Sequence, residues 1–196
     1  MSSLDERLGV LEADLARTPP RINAYDDLPF AMLQYDPAQD AETEVRMREE
    51  MTRLARRLDG AGKRVACLSL GPFLWKAIEA ARGLDALFAH EEKTSFFDAH
   101  EVVAGWLSDP ARFPLPEKVA AAINAIAPRP DIVFLYRASV FGPALAAMST
   151  LVKGLHRKVT IPTVLFYPGT REGEWNLRFQ GVAERELPSS YHVRIY

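Results

Sequence analysis

The chain is poor in cysteine and almost without net charge, and both shortages narrow the kinds of protein it can be. Its single cysteine, Cys67, excludes an internal disulfide and a metal site built from several cysteines. Because Cys67 stands in an apolar run, we expect it to be a small core residue. The 24 basic residues are balanced by 26 acidic ones, giving a formal net charge of −2. Direct nucleic-acid binding is therefore not expected, because no excess positive field is available to hold a polyanion.

The first residues also lack the long apolar run that a signal peptide or a membrane span needs. Acidic residues occur from the fifth position onward in MSSLDERLGVLEADLAR. We therefore expect a cytoplasmic protein that does not enter a membrane. With 196 residues, of which 48% are hydrophobic, the chain is expected to form one domain over residues 1–196.

The familiar local motifs of catalysis and cofactor binding are absent as well. Residues 60–63 (GAGK) precede an apolar run instead of following one, and they do not have the Walker spacing. The first strand-to-helix turn, at residues 36–37, has no glycine for a dinucleotide fingerprint. No G-x-S-x-G elbow occurs, and the four histidines, at 90, 100, 156 and 192, are far apart. We expect no cofactor, no metal site and no complete catalytic constellation.

Four compact apolar runs, at residues 30–35, 64–70, 131–136 and 163–167, are typical of buried strands. Helical periodicity is found at residues 4–16, 40–58, 73–82, 117–127 and 143–157. This alternation predicts an α/β fold, a three-layer sandwich whose central sheet is mostly parallel with four or more strands and has helices on both faces. Residues 84–127 form a helical insertion or a long crossover. The C-terminal tail, residues 168–196, is expected to add one or two short edge strands at 177–179 and 192–196.

Two polar residues follow predicted strands, where open parallel sheets place their ligands. Asp36 either closes an ordinary Asp-Pro turn, which we favour, or serves as a metal ligand or general base. Arg137 either pairs with Asp36 across the end of the sheet or holds an external phosphate or carboxylate.

Large apolar side chains also allow two interpretations. At helical spacing they are more often core than a binding surface, so we expect a core role for Met47, Met51, Trp75, Phe96, Phe97 and Trp106.

The tail contains the most distinctive residues. Gly169 and Gly173 permit a tight excursion beyond the strand that ends at Tyr167, with Arg171 and Glu172 held outward. Trp175 then either lies half exposed, as an interface anchor would, or folds onto the core.

These residues carry a resemblance to a known family. The tail reads PTVLFYPGTREG, then LRFQG around Arg178, then YHVRIY, and upstream pieces include PF at 29–30, YDP at 35–37, GKRV at 62–65, LSL at 68–70 and LYRAS at 135–139. In this order the chain resembles the BrxB proteins of bacterial BREX (bacteriophage exclusion) systems.

The resemblance implies a component of a multi-gene phage-defence system that also contains a DNA adenine methyltransferase, a large ATPase and PglZ, an alkaline-phosphatase-like protein. It provides no catalytic residues to carry over. The expected function is that of a non-enzymatic adaptor or assembly factor, with PglZ as the first candidate partner and the methyltransferase and ATPase as others. The alternative is a degenerate nucleotide- or phosphate-binding domain that uses Asp36, Arg137 and the turn at Tyr167–Gly169.

Overall fold

The computed structural model describes residues 3–22, 29–39, 43–142, 145–155, 158–172, 176–179, 186–187 and 193–196. The helices are α1 (Leu4–Leu15), α2 (Glu44–Gly60), α3 (Gly71–Ala81), α4 (Leu84–Lys93), α5 (Phe96–Ser108), α6 (Leu115–Asn124) and α7 (Leu145–Leu155), with a 3-10 helix at Ala138–Phe141. The strands are β1 (Phe30–Tyr35), β2 (Val65–Ser69), β3 (Ile132–Tyr136), β4 (Thr163–Glu172), β5 (Asn176–Phe179), β6 (Glu186–Leu187) and β7 (Arg194–Ile195).

The central sheet has the strand order β2-β3-β4-β1-β7, and every neighbouring pair along this path is parallel. In the register of the two middle strands, Phe30 lies beside Thr163 and Tyr35 beside Pro168. Strand β1 thus lies three positions from β2, its successor in the sequence. Such a crossover leaves no local signal, which is why the sequence predicts the strands but not their order.

Both faces of the sheet are covered by helices, as the uninterrupted apolar runs predict. In β3, Val133 and Leu135 belong to the core that includes side chains of α3, α5, α6 and α7. Ile132 and Phe134 point the other way, into the core that α1 and α2 contribute to. This alternation follows from the two-residue period of a strand. It confirms the expected three-layer α/β fold.

Strand β2 differs from the expectation of a buried strand, because it lies at the end of the strand order. Its residues are half-buried or exposed, and Cys67 is exposed instead of being a core residue. An apolar run predicts a strand, but it does not reveal whether the strand has a neighbour on one side or on both.

The helices α3 to α6 all lie between β2 and β3 in the chain. The expected core role is confirmed for Met47, Met51 and Trp106, which are buried. It is wrong for Trp75, Phe96 and Phe97, which are exposed.

The physical reason for this error differs between the two helices. In α3 the core contacts come from Phe73, Ala77 and Ile78, and Trp75 is on the remaining face. In α5, Phe96 and Phe97 occupy the first turn, whereas the residues that reach the core come later in the helix.

The assignment of residues 1–196 to a single domain stays a prediction.

The tail corrects a second expectation. Strand β4 does not end at Tyr167 but continues through Pro168 and Gly169 to Glu172 and then pairs antiparallel with β5. Gly169 pairs with Phe179 and is not among the residues with positive φ, so it makes no tight turn. Proline fits here because its missing N–H falls where parallel pairing with β1 ends and pairing with β5 begins. The two strands predicted in the tail are found as β5 and β7; β7 lies at the edge of the central sheet, whereas β5 lies between β4 and an additional strand, β6.

A buried carboxylate fastens β7 to the rest of the molecule. Tyr196 donates a hydrogen bond from its hydroxyl to Asp14 Oδ2 at 3.0 Å, and Arg194 Nη2 lies 2.7 Å from the same oxygen. Burial is the main cause that raises the pKa of Tyr196 above its ordinary value, with the Asp14 charge adding to it, so this phenol stays protonated. A charged side chain with so little exposure is stable only when it is paired in this way.

The packing of α6 against α7 provides a test of the fold. A Cβ placed on Gly154 would lie 2.4 Å from Cβ of Pro116, so this glycine permits the close approach of the two helices. We expect Gly154→Ala to lower the free energy of unfolding by about 1–3 kcal/mol through overpacking, measured by urea denaturation. The control is Gly9→Ala in α1, where a Cβ meets nothing within 4 Å. It should raise stability by about 0.5–1 kcal/mol, and equal effects of the two changes would contradict the packing.

Candidate functional site at the carboxyl edge of the sheet

The first part of this edge is formed by the ends of β2 and β3. Ser69 pairs with Tyr136, and the backbone N–H of Leu70 donates to the carbonyl of Tyr136 at 2.9 Å. The N–H of Gly71, at the start of α3, donates to Ser69 Oγ at 3.3 Å. The guanidinium of Arg137 lies over this glycine, since a Cβ built there would be 3.3 Å from Arg137 Nη1. A hydroxyl, a helix N-terminus and a cation are thereby brought together.

The backbone of Arg137 is in the left-handed region, with φ 61° and ψ 39°. It is the one non-glycine residue of the described chain with positive φ. For a residue with a Cβ this conformation costs on the order of 1 kcal/mol. It directs the chain from β3 into the 3-10 helix and leaves the Arg137 side chain exposed beside Gly71.

Asp36 lies in the second part of the edge, after β1. Its Oδ1 accepts a hydrogen bond from the N–H of Ala38 at 3.1 Å, and its Oδ2 accepts one from Gln39 Nε2 at 3.2 Å. Its carbonyl accepts from the N–H of Gln39 at 3.0 Å. This is the pattern of an Asx turn, in which the carboxylate stabilises its own loop.

The two strand-end residues do not meet. Strand β4 separates β1 from β3, so two strand spacings of about 4.8 Å each, roughly 10 Å in all, lie between the strands that end at Asp36 and Arg137. Within the part of the chain that the structure describes, no carboxylate forms an ion pair with Arg137. Of the two alternatives for Arg137, the internal pair with Asp36 is therefore not formed.

Gln34 is a polar residue of this edge that sequence reasoning missed, because it stands inside an apolar strand. It is buried, and its side-chain amide donates a hydrogen bond to the carbonyl of Gly169. Arg7 of α1 donates to the Gln34 carbonyl and also to its Oε1, the latter at 3.3 Å. The backbone N–H of Gln34 donates a hydrogen bond to the carbonyl of Tyr196 at 3.1 Å. Gln34 therefore links α1, β1, β4 and β7 where parallel pairing ends.

The next residue, Tyr35, is also fully buried and donates a hydrogen bond to Glu44 at the start of α2. Burial and then this hydrogen bond raise the pKa of Tyr35 above its ordinary value, so the phenol remains a neutral donor. The only signal of this contact in the sequence is the presence of a tyrosine at the end of an apolar run.

The remaining candidates lie along β4 and the hairpin. Tyr167 is buried within the core next to α3, α5, α6 and α7, so it does not line an open site. Arg171 and Glu172 are strand residues that pair with Leu177 and Asn176, and Arg178 in β5 pairs with Thr170. Gly173 and Trp175 fall outside the described residues.

A concave space lies elsewhere in the described part of the chain. A pocket of about 430 Å³ opens among α3, α4, α5 and the loop after α5, with Arg82, His90, Trp106 and Arg112 among its lining residues. In the described ranges no three histidine, cysteine, aspartate or glutamate side chains are grouped so that they could hold a metal ion. The helices that are described include none with the length and apolar character needed to cross a membrane.

By its architecture the molecule belongs to the α/β/α proteins with a mostly parallel sheet and polar residues at the carboxyl edge of that sheet. A family model described as BREX protein BrxB matches residues 66–192, from β2 to just before β7. The chain therefore belongs to the BrxB family. No curated protein and no solved structure matches it. The upstream motifs at residues 29–30, 35–37 and 62–65 lie before the matched segment.

The backbone of Arg137 provides a test of this edge. Glycine adopts positive φ without steric cost, whereas a β-branched residue is strongly disfavoured there. We expect Arg137→Gly to change the free energy of unfolding by less than about 1 kcal/mol, and Arg137→Val to be less stable than that variant by about 1–2 kcal/mol. Urea denaturation measures both. A loss above about 1.5 kcal/mol for Arg137→Gly would show that the guanidinium contact, not the backbone, determines stability here.

Proposed function

We propose that this BREX component is a non-enzymatic adaptor or assembly factor that binds a larger protein of its system in the cytoplasm, with PglZ as the direct partner. The observation that carries the proposal is membership of the BrxB family over residues 66–192. Membership makes the chain a component of a phage-defence system of several proteins, and such a component acts by contact with the others.

Two further features support a role in protein contact. The formal net charge is −2, which favours a protein partner over DNA. Exposed phenylalanines on α4 and α5, together with Trp75 on α3, are the residue type that anchors protein interfaces. Contact with the methyltransferase or the ATPase of the system is a weaker form of the same proposal.

Co-purification tests the partner. The tagged chain, co-expressed with the other BREX proteins, is expected to retain PglZ at moderate salt, because an interface with an apolar centre resists ionic screening. The untagged chain, co-expressed with the same BREX proteins, shows what the matrix retains by itself. Recovery of the tagged chain alone would remove the basis of the adaptor proposal, and recovery with the methyltransferase or ATPase instead would reassign the partner.

The second candidate function is a degenerate nucleotide- or phosphate-binding domain. One observation favours it: the exposed guanidinium of Arg137 lies over the N-terminus of α3, and both groups attract anions. Asp36, bound into its own turn and separated by β4, is not part of that arrangement. The candidate therefore depends on Arg137 and the residues around Ser69.

Thermal unfolding with inorganic phosphate, and with ATP and Mg²⁺, tests this candidate. A bound anion at ten times its Kd stabilises by about 1.4 kcal/mol, which corresponds to a rise in Tm of about 4 °C for a chain of this size. The shift should disappear in Arg137→Ala and persist in Asp36→Ala. It should also persist in Arg129→Ala, which lies before β3 near the opposite edge of the sheet. No shift, or an equal shift in all variants, would exclude the site.

A further inference from the structure

The consecutive helices α4 and α5 expose an unusual number of large aromatic side chains. Phe88 is 55% exposed, Phe96 is 54% exposed and Phe97 is 77% exposed. Exposed single apolar residues are ordinary, but three phenylalanines on two adjoining helices are not. We call these three residues the α4–α5 aromatic surface.

These aromatic side chains are not held by the core. None of the residues of α4 is buried, so this helix adds little to the interior of the protein. Phe96 contacts Phe97 edge to face at 5.8 Å between ring centroids, and it lies 4.0 Å from the ring of His100. The rings of Phe96, Phe97 and His100 therefore support one another at the surface and need no large rearrangement to contact another molecule.

Acidic residues share the faces that carry the phenylalanines. In α4, Asp85, Phe88 and Glu92 are spaced three and four apart, which places them on one side of the helix. In α5, Phe97 and Glu101 are four apart and share a side in the same way. Residues 84–101 contain five acidic residues and one lysine, a formal charge of −4 in a chain whose total is −2.

The acids of this segment are not neutralised by ion pairs within the described part of the protein. Within the described part of the chain, none of the carboxylates of Asp85, Glu91, Glu92, Asp98 and Glu101 forms an ion pair. By contrast, in α2 Arg53 pairs with Glu49 and Glu50, and Arg57 pairs with Glu12 of α1. Some of the charges of α2 are therefore paired within the protein, whereas the acids of α4 and α5 are not.

From this arrangement we infer that the α4–α5 aromatic surface docks a basic amphipathic segment of a partner protein, with lysine or arginine residues interleaved among apolar ones. The apolar side chains of that segment cover the phenylalanines, and its cations meet the acids three or four residues away on the same helix faces. A second copy of this chain fits poorly, because a symmetric contact would set like charges against one another. The inference rests on the proposed adaptor function and adds the surface and the partner's chemistry to it.

Binding to BREX proteins tests the surface. The immobilised chain is presented with purified PglZ, methyltransferase and ATPase, and Kd is compared for the wild type and for Phe88→Ser/Phe96→Ser/Phe97→Ser. We expect the triple variant to weaken binding at least about tenfold. Val10→Ser/Val45→Ser is the matched control, because it removes exposed apolar side chains on α1 and α2 and should leave Kd within about twofold. An unchanged Kd in the triple variant would overturn the inference and leave the adaptor function in place.

The charge contribution is measured separately. Glu92→Lys on α4 should lower the rate at which the chain associates with its BREX partner, several-fold at low salt and less at high salt. The control, Asp59→Lys near the end of α2, makes the same change of charge at another exposed position and should not lower it. Equal effects of the two reversals would show general electrostatic steering without a defined acidic surface.

A synthetic probe separates failure of the surface from failure of the proposed partner. The probe is a helical peptide with one lysine face and one leucine face, and its binding is measured by fluorescence anisotropy. It should bind the wild type at least about tenfold more tightly than the same peptide with glutamate in place of lysine. It should lose this preference on the triple serine variant. If the peptide bound in this way but no BREX protein did, the adaptor proposal would fail and the surface would stand. Failure of the peptide, or a wild-type dimer that the serine variant dissociates in sedimentation experiments, would overturn the inference.

Discussion

The pairing of β4 on both of its sides is the interaction on which the remaining structure depends. Its first residues run parallel to β3 and β1, and Leu165 and Phe166 face opposite cores. Burial of such side chains contributes on the order of 2 kcal/mol each, and only a strand that is covered on both faces obtains this from every residue. The last residues of β4 pair with β5, so the same strand is also the base of the C-terminal hairpin.

The central position of β4 also divides the carboxyl edge of the sheet. Polar groups at the end of β1 and polar groups at the ends of β2 and β3 are held on either side of a continuing strand. On the β1 side, Gln34 and Asp36 are engaged in contacts that stabilise the fold. On the other side, the guanidinium of Arg137 lies over the start of α3. An edge divided in this way does not bring a carboxylate and a cation together in one cleft, which is what the enzyme-like alternative assumed.

The sequence predicts the positions of the strands and helices well, but it predicts their neighbours and their burial less well. The four apolar runs correspond to β1, β2, β3 and β4, because local periodicity is decided by local residues. Strand order, the edge position of β2 and the exposure of Cys67 depend on which strands meet through long crossovers. The sequence could not distinguish a proline that ends a strand from one that stands where a strand changes partners, as Pro168 does. Residue type also misled at Trp75, Phe96 and Phe97, since an aromatic residue at helical spacing marks a face but not what covers it.

The helices between β2 and β3 show why this last distinction matters for function. The face of the sheet that carries Val133 and Leu135 is covered by side chains of α3, α5, α6 and α7. Helix α4 contributes no buried residue to that layer. Stability of the fold therefore places few demands on the outer side of α4. Selection for solubility alone would favour polar residues there, because exposed aromatic side chains promote unwanted association. The presence of Phe88 between Asp85 and Glu92 on that side is explained by contact with another molecule more readily than by folding.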